Sequence, residues 1–185
     1  MKTQYYTAST LDGFIATEEH SLDWLLQFGE APGGSYDRFI AEVGAIAMGS
    51  HTYEWLLRHQ VRPEGREPQP WPYAQPAWVF STRELPGVDG ADIRFACGDV
   101  ARLHAEMARA AGGKNLWIVG GGELAAQFHD AGLLDEIIVT VAPVTLGRGA
   151  PLFPRALTTP PALRLESVQA YGDVFAELRY AVKRG

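Results

Sequence analysis

Three consecutive glycines follow a short apolar run in the segment LWIVGGGELAAQF, which begins at Leu116. The run Leu116–Val119 predicts a buried strand, and Leu124 and Phe128, four residues apart, predict a helix. Because glycine has no side chain, the turn between them would present bare backbone N–H groups at a helix start, where a phosphate can bind. The segment therefore predicts a nucleotide site, unless the glycines serve only tight packing.

The glycine spacing also fits a dinucleotide fingerprint, because Gly120, Gly122 and Ala125 match G-x-G-x-x-A. In a Rossmann fold this turn follows the first strand, and an acidic residue ends the next strand. Here the turn lies late in the chain, and Asp135 and Glu136 precede the next predicted strand. The sequence therefore disfavours the Rossmann interpretation.

Two further apolar runs, in IAMGSHTYEW and WVFSTRE, also end in glycine or polar residues. Strands of a parallel sheet that lead into helices end at one edge of the sheet, and ligands bind at that edge. Backbone N–H groups, hydroxyl groups and a guanidinium would meet there and suit a ligand with several phosphates. The residues concerned are Gly49, Ser50, His51 and Thr52 after the first run, and Ser81, Thr82 and Arg83 after the second.

The order of the elements predicts the fold class. Strands are predicted at Tyr5–Ala8, Ala45–Met48, Ala77–Phe80, Ile93–Phe95, Leu116–Val119 and Ile137–Val141, and helices at Tyr36–Val43, from Ser50, at Gly98–Ala111 and at Gly122–His129. Residues 163–182 predict a hairpin that turns at Tyr171–Asp173, and residues 9–24 and the proline-rich residues 60–76 are predicted loops. This order predicts a single α/β domain over residues 1–185. It should have a mixed, mostly parallel central sheet, helices on both faces and a C-terminal antiparallel hairpin.

Composition and charge restrict the partners. The net charge is −6 and no run of Lys or Arg is present, which argues against a nucleic-acid surface. Cys97 is the single cysteine, so that no intrachain disulfide can form, as expected in a reducing compartment. Neither a signal peptide nor an apolar run of about 20 residues is found. The sequence therefore predicts a cytoplasmic protein with a small-molecule substrate and no membrane partner.

Five segments, in order along nearly the whole chain, resemble dihydrofolate reductases and especially the riboflavin-biosynthesis reductase domains. The segments are TASTLDGFIA, MGSHTYE, VFSTRE, IVGGGELAAQF and APVTLGRGAPLFP. The resemblance implies a dihydrofolate reductase-like three-layer fold, NADPH as cofactor and hydride transfer to a small pyrimidine-like, pterin-like or carbonyl substrate. The activity would be similar to that of 5-amino-6-(5-phosphoribosylamino)uracil reductase, and a homodimer is a further expectation. The alternative is a catalytically silent dinucleotide-binding or sensing protein on the same scaffold.

The resemblance also implies which residues would hold the ligands. Those residues are Ala8, Ile15 and Ala16 beside the nicotinamide; Gly120, Gly121, Gly122 and Glu123 at the pyrophosphate, with Gly49, Ser50, His51 and Thr52 on its other side; Ser81, Thr82 and Arg83 near the adenosine 2′-phosphate; and Trp24 and Thr140 towards the substrate. Ser50 stands where these relatives usually have a phosphate-binding arginine, so that Arg83 would have to supply the charge.

Hydride transfer needs few side chains, because the cofactor carries the hydride and the protein orients the two rings. The catalytic candidates are Asp12, Asp37 and Thr140, and Glu30 is a further acid that could assist as a proton donor. Asp12, beside Gly13, could instead be a turn residue, and Asp37 a solvated charge at a helix start. No metal site is predicted.

Overall fold

The chain is described by a computed structural model for residues 1–29, 35–158 and 162–183. The strands are β1 (Thr3–Thr10), β2 (Phe14–Ala16), β3 (Val43–Gly49), β4 (Ala77–Phe80), β5 (Ile93–Ala96), β6 (Asn115–Gly120), β7 (Glu136–Ala142), β8 (Ala150–Pro151), β9 (Leu163–Tyr171) and β10 (Phe175–Val182). The helices are α1 (Asp23–Leu26), α2 (Ser35–Ala41), α3 (Ser50–Leu56), α4 (Val100–Ala110) and α5 (Gly122–Asp130). A π-helical turn, Leu57–Val61, continues α3.

The main sheet has the strand order β5-β4-β3-β6-β1-β7-β10-β9. Neighbouring strands from β5 to β7 run parallel, whereas β10 is antiparallel to both β7 and β9. β2 and β8 form a separate antiparallel ribbon. The predicted fold class, with its mostly parallel sheet and C-terminal hairpin, is confirmed.

The residue pattern of β3 explains why helices cover both faces of the sheet. Successive side chains of a strand point to opposite faces, so that Ala45 and Ala47 belong to one buried cluster and Ile46 and Met48 to the other. Helices α4 and α5 pack on the first side, and α2 and α3 pack on the second. Two apolar cores therefore hold the sheet between two helical layers.

The element boundaries differ most from the prediction within the first 43 residues. The predicted loop 9–24 contains β2 and α1, and the predicted helix Tyr36–Val43 ends earlier because Val43 already belongs to β3. A strand as short as β2 leaves no periodic signal of its own, and it exists because it pairs with β8, far away in the sequence. None of the described helices has the length and apolarity needed to cross a membrane.

Candidate functional site

The neighbouring parallel strands β3 and β6 end at the same edge of the sheet, and each leads directly into a helix. Gly49 is the N-cap of α3 and Gly121 is the N-cap of α5. Among the described residues, no side chain caps either helix start. The first N–H groups of both helices therefore lack a side-chain acceptor, and the positive ends of two helix dipoles meet at one edge.

A cavity of about 760 Å³ opens at this edge. Most of the residues expected to hold the nicotinamide and the pyrophosphate line it. They are Ile15, Ala16, Gly49, Ser50, His51, Thr52, Gly120, Gly121, Gly122 and Glu123. The fold thus brings together residues from three separate segments of the sequence.

The glycine turn contains residues with two different physical roles. A Cβ atom on Gly122 would overlap the carbonyl oxygens of Pro151 and Leu152, so that packing against the chain explains this glycine. A Cβ atom on Gly121 would meet only the Cδ1 atom of Ile15, at 3.9 Å, which is ordinary contact. Gly121 also has an extended backbone (φ −90°, ψ 177°) that any residue can adopt. Neither packing nor the φ and ψ angles require a glycine at position 121.

The side chains of two histidines that line the cavity contact each other. The rings of His20 and His51 stack with centroids 3.8 Å apart and planes inclined by 21°, and both residues line the cavity. His20 has a left-handed backbone conformation (φ 62°), which non-glycine residues seldom adopt. Desolvation, and then the nearby charges of His51 and Arg58, lower the pKa of His20. His20 was missed from the sequence, because only the fold carries its loop to the start of α3.

The polar residues at the end of β4 lie beside this cavity without lining it. The guanidinium of Arg83 forms a two-pronged ion pair with Glu54 of α3, with N–O distances of 2.9 and 2.8 Å. Ser81 holds the local turn, since its hydroxyl oxygen accepts a hydrogen bond from the backbone N–H of Arg83 at 2.9 Å. Thr82 is exposed. The hydrogen bond from Arg83, and its charge, lower the pKa of Glu54.

Of the candidate acids that the structure describes, neither Asp12 nor Asp37 lines the cavity. Asp12 accepts hydrogen bonds from the hydroxyl of Thr10 and from the backbone N–H groups of Leu146 and Gly147. The Thr10 bond, joined by these backbone bonds, lowers the pKa of the Asp12 carboxyl group. Asp12 therefore joins two loops as a carboxylate. Asp37 is an exposed residue in the first turn of α2, and Glu30 lies outside the described residues.

The residues expected near the substrate occupy a neighbouring part of the sheet. Trp24 is buried in a small cluster with Ala142 and Phe175, and Ala8 packs against that cluster. Thr140 of β7 pairs with Ala8 of β1. Trp24, Ala8 and Thr140 are not among the described residues that line the cavity.

Instead, aromatic side chains form the other end of the cavity. The five residues are Tyr6, Tyr36, Trp55, Tyr73 and Trp117, and we refer to them as the aromatic chamber. The ring of Trp117 lies edge-on to the rings of Tyr36 and Tyr73, at centroid distances of 5.9 and 5.6 Å. Its indole N–H donates a hydrogen bond to the carbonyl oxygen of Tyr6 at 2.9 Å.

The chamber and the glycine turn lie on the same strand. Trp117 precedes Gly120 by three residues on β6, a rise of about 10 Å along an extended strand. The apolar run Leu116–Val119 was interpreted only as a buried strand. Alternation along it would have shown that Trp117 faces away from Leu116 and Ile118. What the alternation could not show is which other aromatic residues share that face.

The buried carboxylate of Glu177 is hydrogen-bonded to a tyrosine of the aromatic chamber. The hydroxyl of Tyr6 donates a hydrogen bond to Glu177 of β10 at 3.2 Å, and Glu177 is only 7% exposed. Glu177 also lines a second cavity of about 380 Å³, together with Arg38 and Arg179. The sequence pattern of the hairpin gave no sign of this contact, because Glu177 sits at an ordinary polar position of an alternating strand.

Comparison with known families identifies one that matches most of the chain. The family model of the RibD C-terminal domain matches residues 2–176. The uncharacterised protein YwjB of Bacillus subtilis (strain 168) is 34% identical over 180 residues, which cover 97% of each chain. The uncharacterised protein YyaP of the same organism is 29% identical over 152 residues, covering 79% of this chain and 77% of YyaP.

Solved structures show the same fold. A protein of proposed riboflavin-biosynthesis function from Shewanella sp. PV-4 is 26% identical, covers both chains completely and superposes with a TM-score of 0.79. A diaminohydroxyphosphoribosylaminopyrimidine deaminase/5-amino-6-(5-phosphoribosylamino)uracil reductase from Thermotoga maritima is 16% identical, with a TM-score of 0.67 over 98% of this chain and 56% of its own. Dihydrofolate reductase from Enterococcus faecalis, complexed with NADP(H), is 15% identical, with a TM-score of 0.61 over 99% and 97%.

Proposed function

Because the chain belongs to the RibD C-terminal domain family, we propose that it is an NADPH-dependent reductase. It would transfer hydride to a small pyrimidine-like, pterin-like or carbonyl substrate. The similar structures include a reductase from Thermotoga maritima and a dihydrofolate reductase complexed with NADP(H), and both support this class of reaction. The observation that carries the proposal is Gly121, a glycine that faces a cavity between two uncapped helix starts.

The geometry around Gly121 fits the pyrophosphate of a dinucleotide. Two helix starts offer N–H groups and positive dipole ends, which together favour an anion. The surface of Gly121 is bare backbone, with only Ile15 in contact range of an added Cβ. A phosphate lying against this backbone would explain why a side chain is absent there, since the chain itself leaves room for one.

When bound, NADPH supplies the hydride, and the described residues position and enclose the two rings. Ile15 and Ala16 of β2 form an apolar wall of the cavity, and Ala150 and Pro151 of β8 continue that wall. Apolar walls exclude water from the reacting atoms. The hydroxyl of Tyr6 donates a hydrogen bond to Glu177, which would hold the Tyr6 ring in position at the wall of the aromatic chamber.

The 2′-phosphate would engage Arg83. The Arg83–Glu54 ion pair is half exposed on the Arg83 side, and such surface pairs contribute little net stability because water solvates both charges. A phosphate could therefore replace Glu54 as the partner of Arg83 at small cost. His51, in the first turn of α3, is close enough to Glu54 to feel its charge, so that a cationic imidazole could add to the same anion site.

Binding of NADPH to three proteins tests the proposal. We expect wild type to bind NADPH, and Gly121→Val to weaken binding at least tenfold, about 1.4 kcal/mol, because its side chain would occupy the space of the pyrophosphate. Gly121→Ala should show a smaller loss with a smaller risk to folding. Gly87→Val is the matched control, since Gly87 also has open space around it and lies outside the cavity.

The same titrations separate the alternatives. Unchanged NADPH affinity in a folded Gly121→Val protein would contradict the proposed pyrophosphate site. Absence of NADPH binding in wild type would overturn the proposed reductase. Tight NADPH binding without oxidation of the cofactor by any heterocyclic or carbonyl compound would favour a catalytically silent sensor.

A further inference from the structure

The aromatic chamber differs in chemistry from the rest of the cavity. Its rings belong to β1, β6, α2, α3 and the segment before β4, so that five separate parts of the chain each supply one aromatic side chain. Burial raises the pKa of Tyr73, and burial and the charge of Asp37 raise the pKa of Tyr36. These hydroxyl groups therefore stay neutral and can donate hydrogen bonds at physiological pH.

Cations do not line the chamber in the described part of the chain. The cavity-lining residues with ionisable acidic or imidazole groups are His20, His51 and Glu123. His51 and Glu123 lie in the first turns of α3 and α5, and His20 stacks on His51, so that all three are at the helix starts. Residues 30–34, EAPGG, contain no Lys or Arg either. The charge that raises the pKa of Tyr36, beside burial, is that of the Asp37 carboxylate.

From this distribution we infer that the substrate is an uncharged, planar aromatic heterocycle without a phosphate group. The inference rests on the proposed function, which assigns the helix starts to the dinucleotide and leaves the chamber for the substrate. Tyrosine and tryptophan rings bind flat rings by stacking and edge contacts. A phosphate dianion placed among them would lose its hydration without gaining a cationic partner.

The inference distinguishes this chain from the relative in Thermotoga maritima, whose described reductase activity concerns a phosphoribosylamino uracil. A matched pair of probes makes the difference measurable. The pair is 5-amino-6-(5-phosphoribosylamino)uracil and the same compound without its phosphate. Lumazine, an uncharged pteridine, is the planar probe without a sugar.

Tryptophan fluorescence reports the binding of each probe, with and without saturating NADP⁺, because Trp55 and Trp117 line the chamber. We expect lumazine to bind wild type and to bind Tyr36→Ala about tenfold more weakly. Tyr36 is 42% exposed, so that the variant should fold. Phe95→Ala removes an aromatic ring of similar exposure (45%) outside the cavity and should not change lumazine affinity.

The probes with and without a phosphate group test whether the site prefers an uncharged substrate. We expect the compound without phosphate to bind wild type at least as tightly as its phosphate, and Tyr36→Arg to shift the preference towards the phosphate. With NADP⁺ saturating the helix starts, tighter binding of the phosphate by wild type would overturn the inference, as would the absence of lumazine binding or an equal loss in Phe95→Ala. The probe titrations are also run without a dinucleotide. A failure of NADPH to bind would therefore refute the proposed function independently of the result for the substrate.

Discussion

At the scale of single residues, the proposed choice of cofactor depends on whether Arg83 pairs with Glu54 or with a 2′-phosphate. Ser50 leaves the start of α3 without an arginine, and Arg83 already holds Glu54 with two hydrogen bonds. An arginine fork binds a carboxylate or a phosphate through the same two N–H groups. Glu54 therefore competes with any 2′-phosphate for the same donor.

We expect wild type to bind NADPH about ten- to hundredfold more tightly than NADH. Arg83→Ala should remove most of that preference and leave NADH affinity nearly unchanged, because NADH has no 2′-phosphate. Glu54→Gln should strengthen NADPH binding by freeing Arg83, and Ser50→Arg should do so most at low ionic strength. Calorimetric titration of both cofactors measures all four proteins. An equal loss of NADH and NADPH affinity in Arg83→Ala would exclude Arg83 as the 2′-phosphate ligand.

At the scale of elements, long periodic segments could be predicted from the sequence and short paired ones could not. The strands around Ala45–Met48 and Leu116–Val119 and the helix after the glycine turn were predicted close to their observed bounds. The ribbon of β2 and β8 was missed, because each strand depends on a partner more than a hundred residues away.

The candidate site likewise contains residues that the sequence could predict and residues that it could not. Glycine turns that precede helices are local signals, and the end of the cavity at the helix starts was therefore visible in the sequence. The aromatic chamber and the His20–His51 stack are assembled from distant segments. No local pattern marks such residues, because a tyrosine in a core and a tyrosine in a cavity wall have the same spacing.

The loop between β2 and α1 supplies a prediction about pH. Because the pKa of His20 is lowered in the folded protein, the neutral ring is favoured there, and its contribution to stability is complete above about pH 6.5. That contribution falls as the pH drops below 6.5 towards the lowered pKa of His20. We expect NMR titration to give a His20 pKa below 6.5, and His51→Asn to raise it by removing one source of positive charge.

Addition of NADPH should raise the pKa of His20, because phosphate charges favour imidazolium. His129 lies outside the cavity and serves as the control resonance. A His20 pKa at or above 6.5 in the cofactor-free protein would contradict the proposed effect of burial and of the His51 charge.

At the scale of the whole molecule, one buried carboxylate joins three neighbouring strands. Glu136 of β7 is 1% exposed and accepts hydrogen bonds from Gln4 of β1, Lys2 and Arg179 of β10. Burial by itself would raise its pKa, but the hydrogen bonds from Gln4 and Lys2 and the charge of Arg179 outweigh burial and lower it. The ionised carboxylate therefore stabilises the junction between the parallel strands and the hairpin.

We expect Glu136→Gln to lower the free energy of unfolding at pH 7 by about 2 kcal/mol, the range for hydrogen bonds to a charged group. The difference from wild type should be largest above about pH 4.5 and shrink as the pH falls through the lowered pKa of Glu136. Urea unfolding between pH 7 and pH 3 measures it. Glu166→Gln breaks an exposed pair with Arg164 and should have little effect; a pH-independent loss in Glu136→Gln would refute the electrostatic explanation.

The position of β1 between β6 and β7 affects when the sheet can form during synthesis of the chain. Synthesis delivers β1 first, yet its two hydrogen-bonding neighbours are residues 115–120 and 136–142. The strand therefore has no sheet neighbour to pair with until about a hundred further residues have been synthesised. Closure of the sheet is therefore a late, non-local event in which most of the chain takes part.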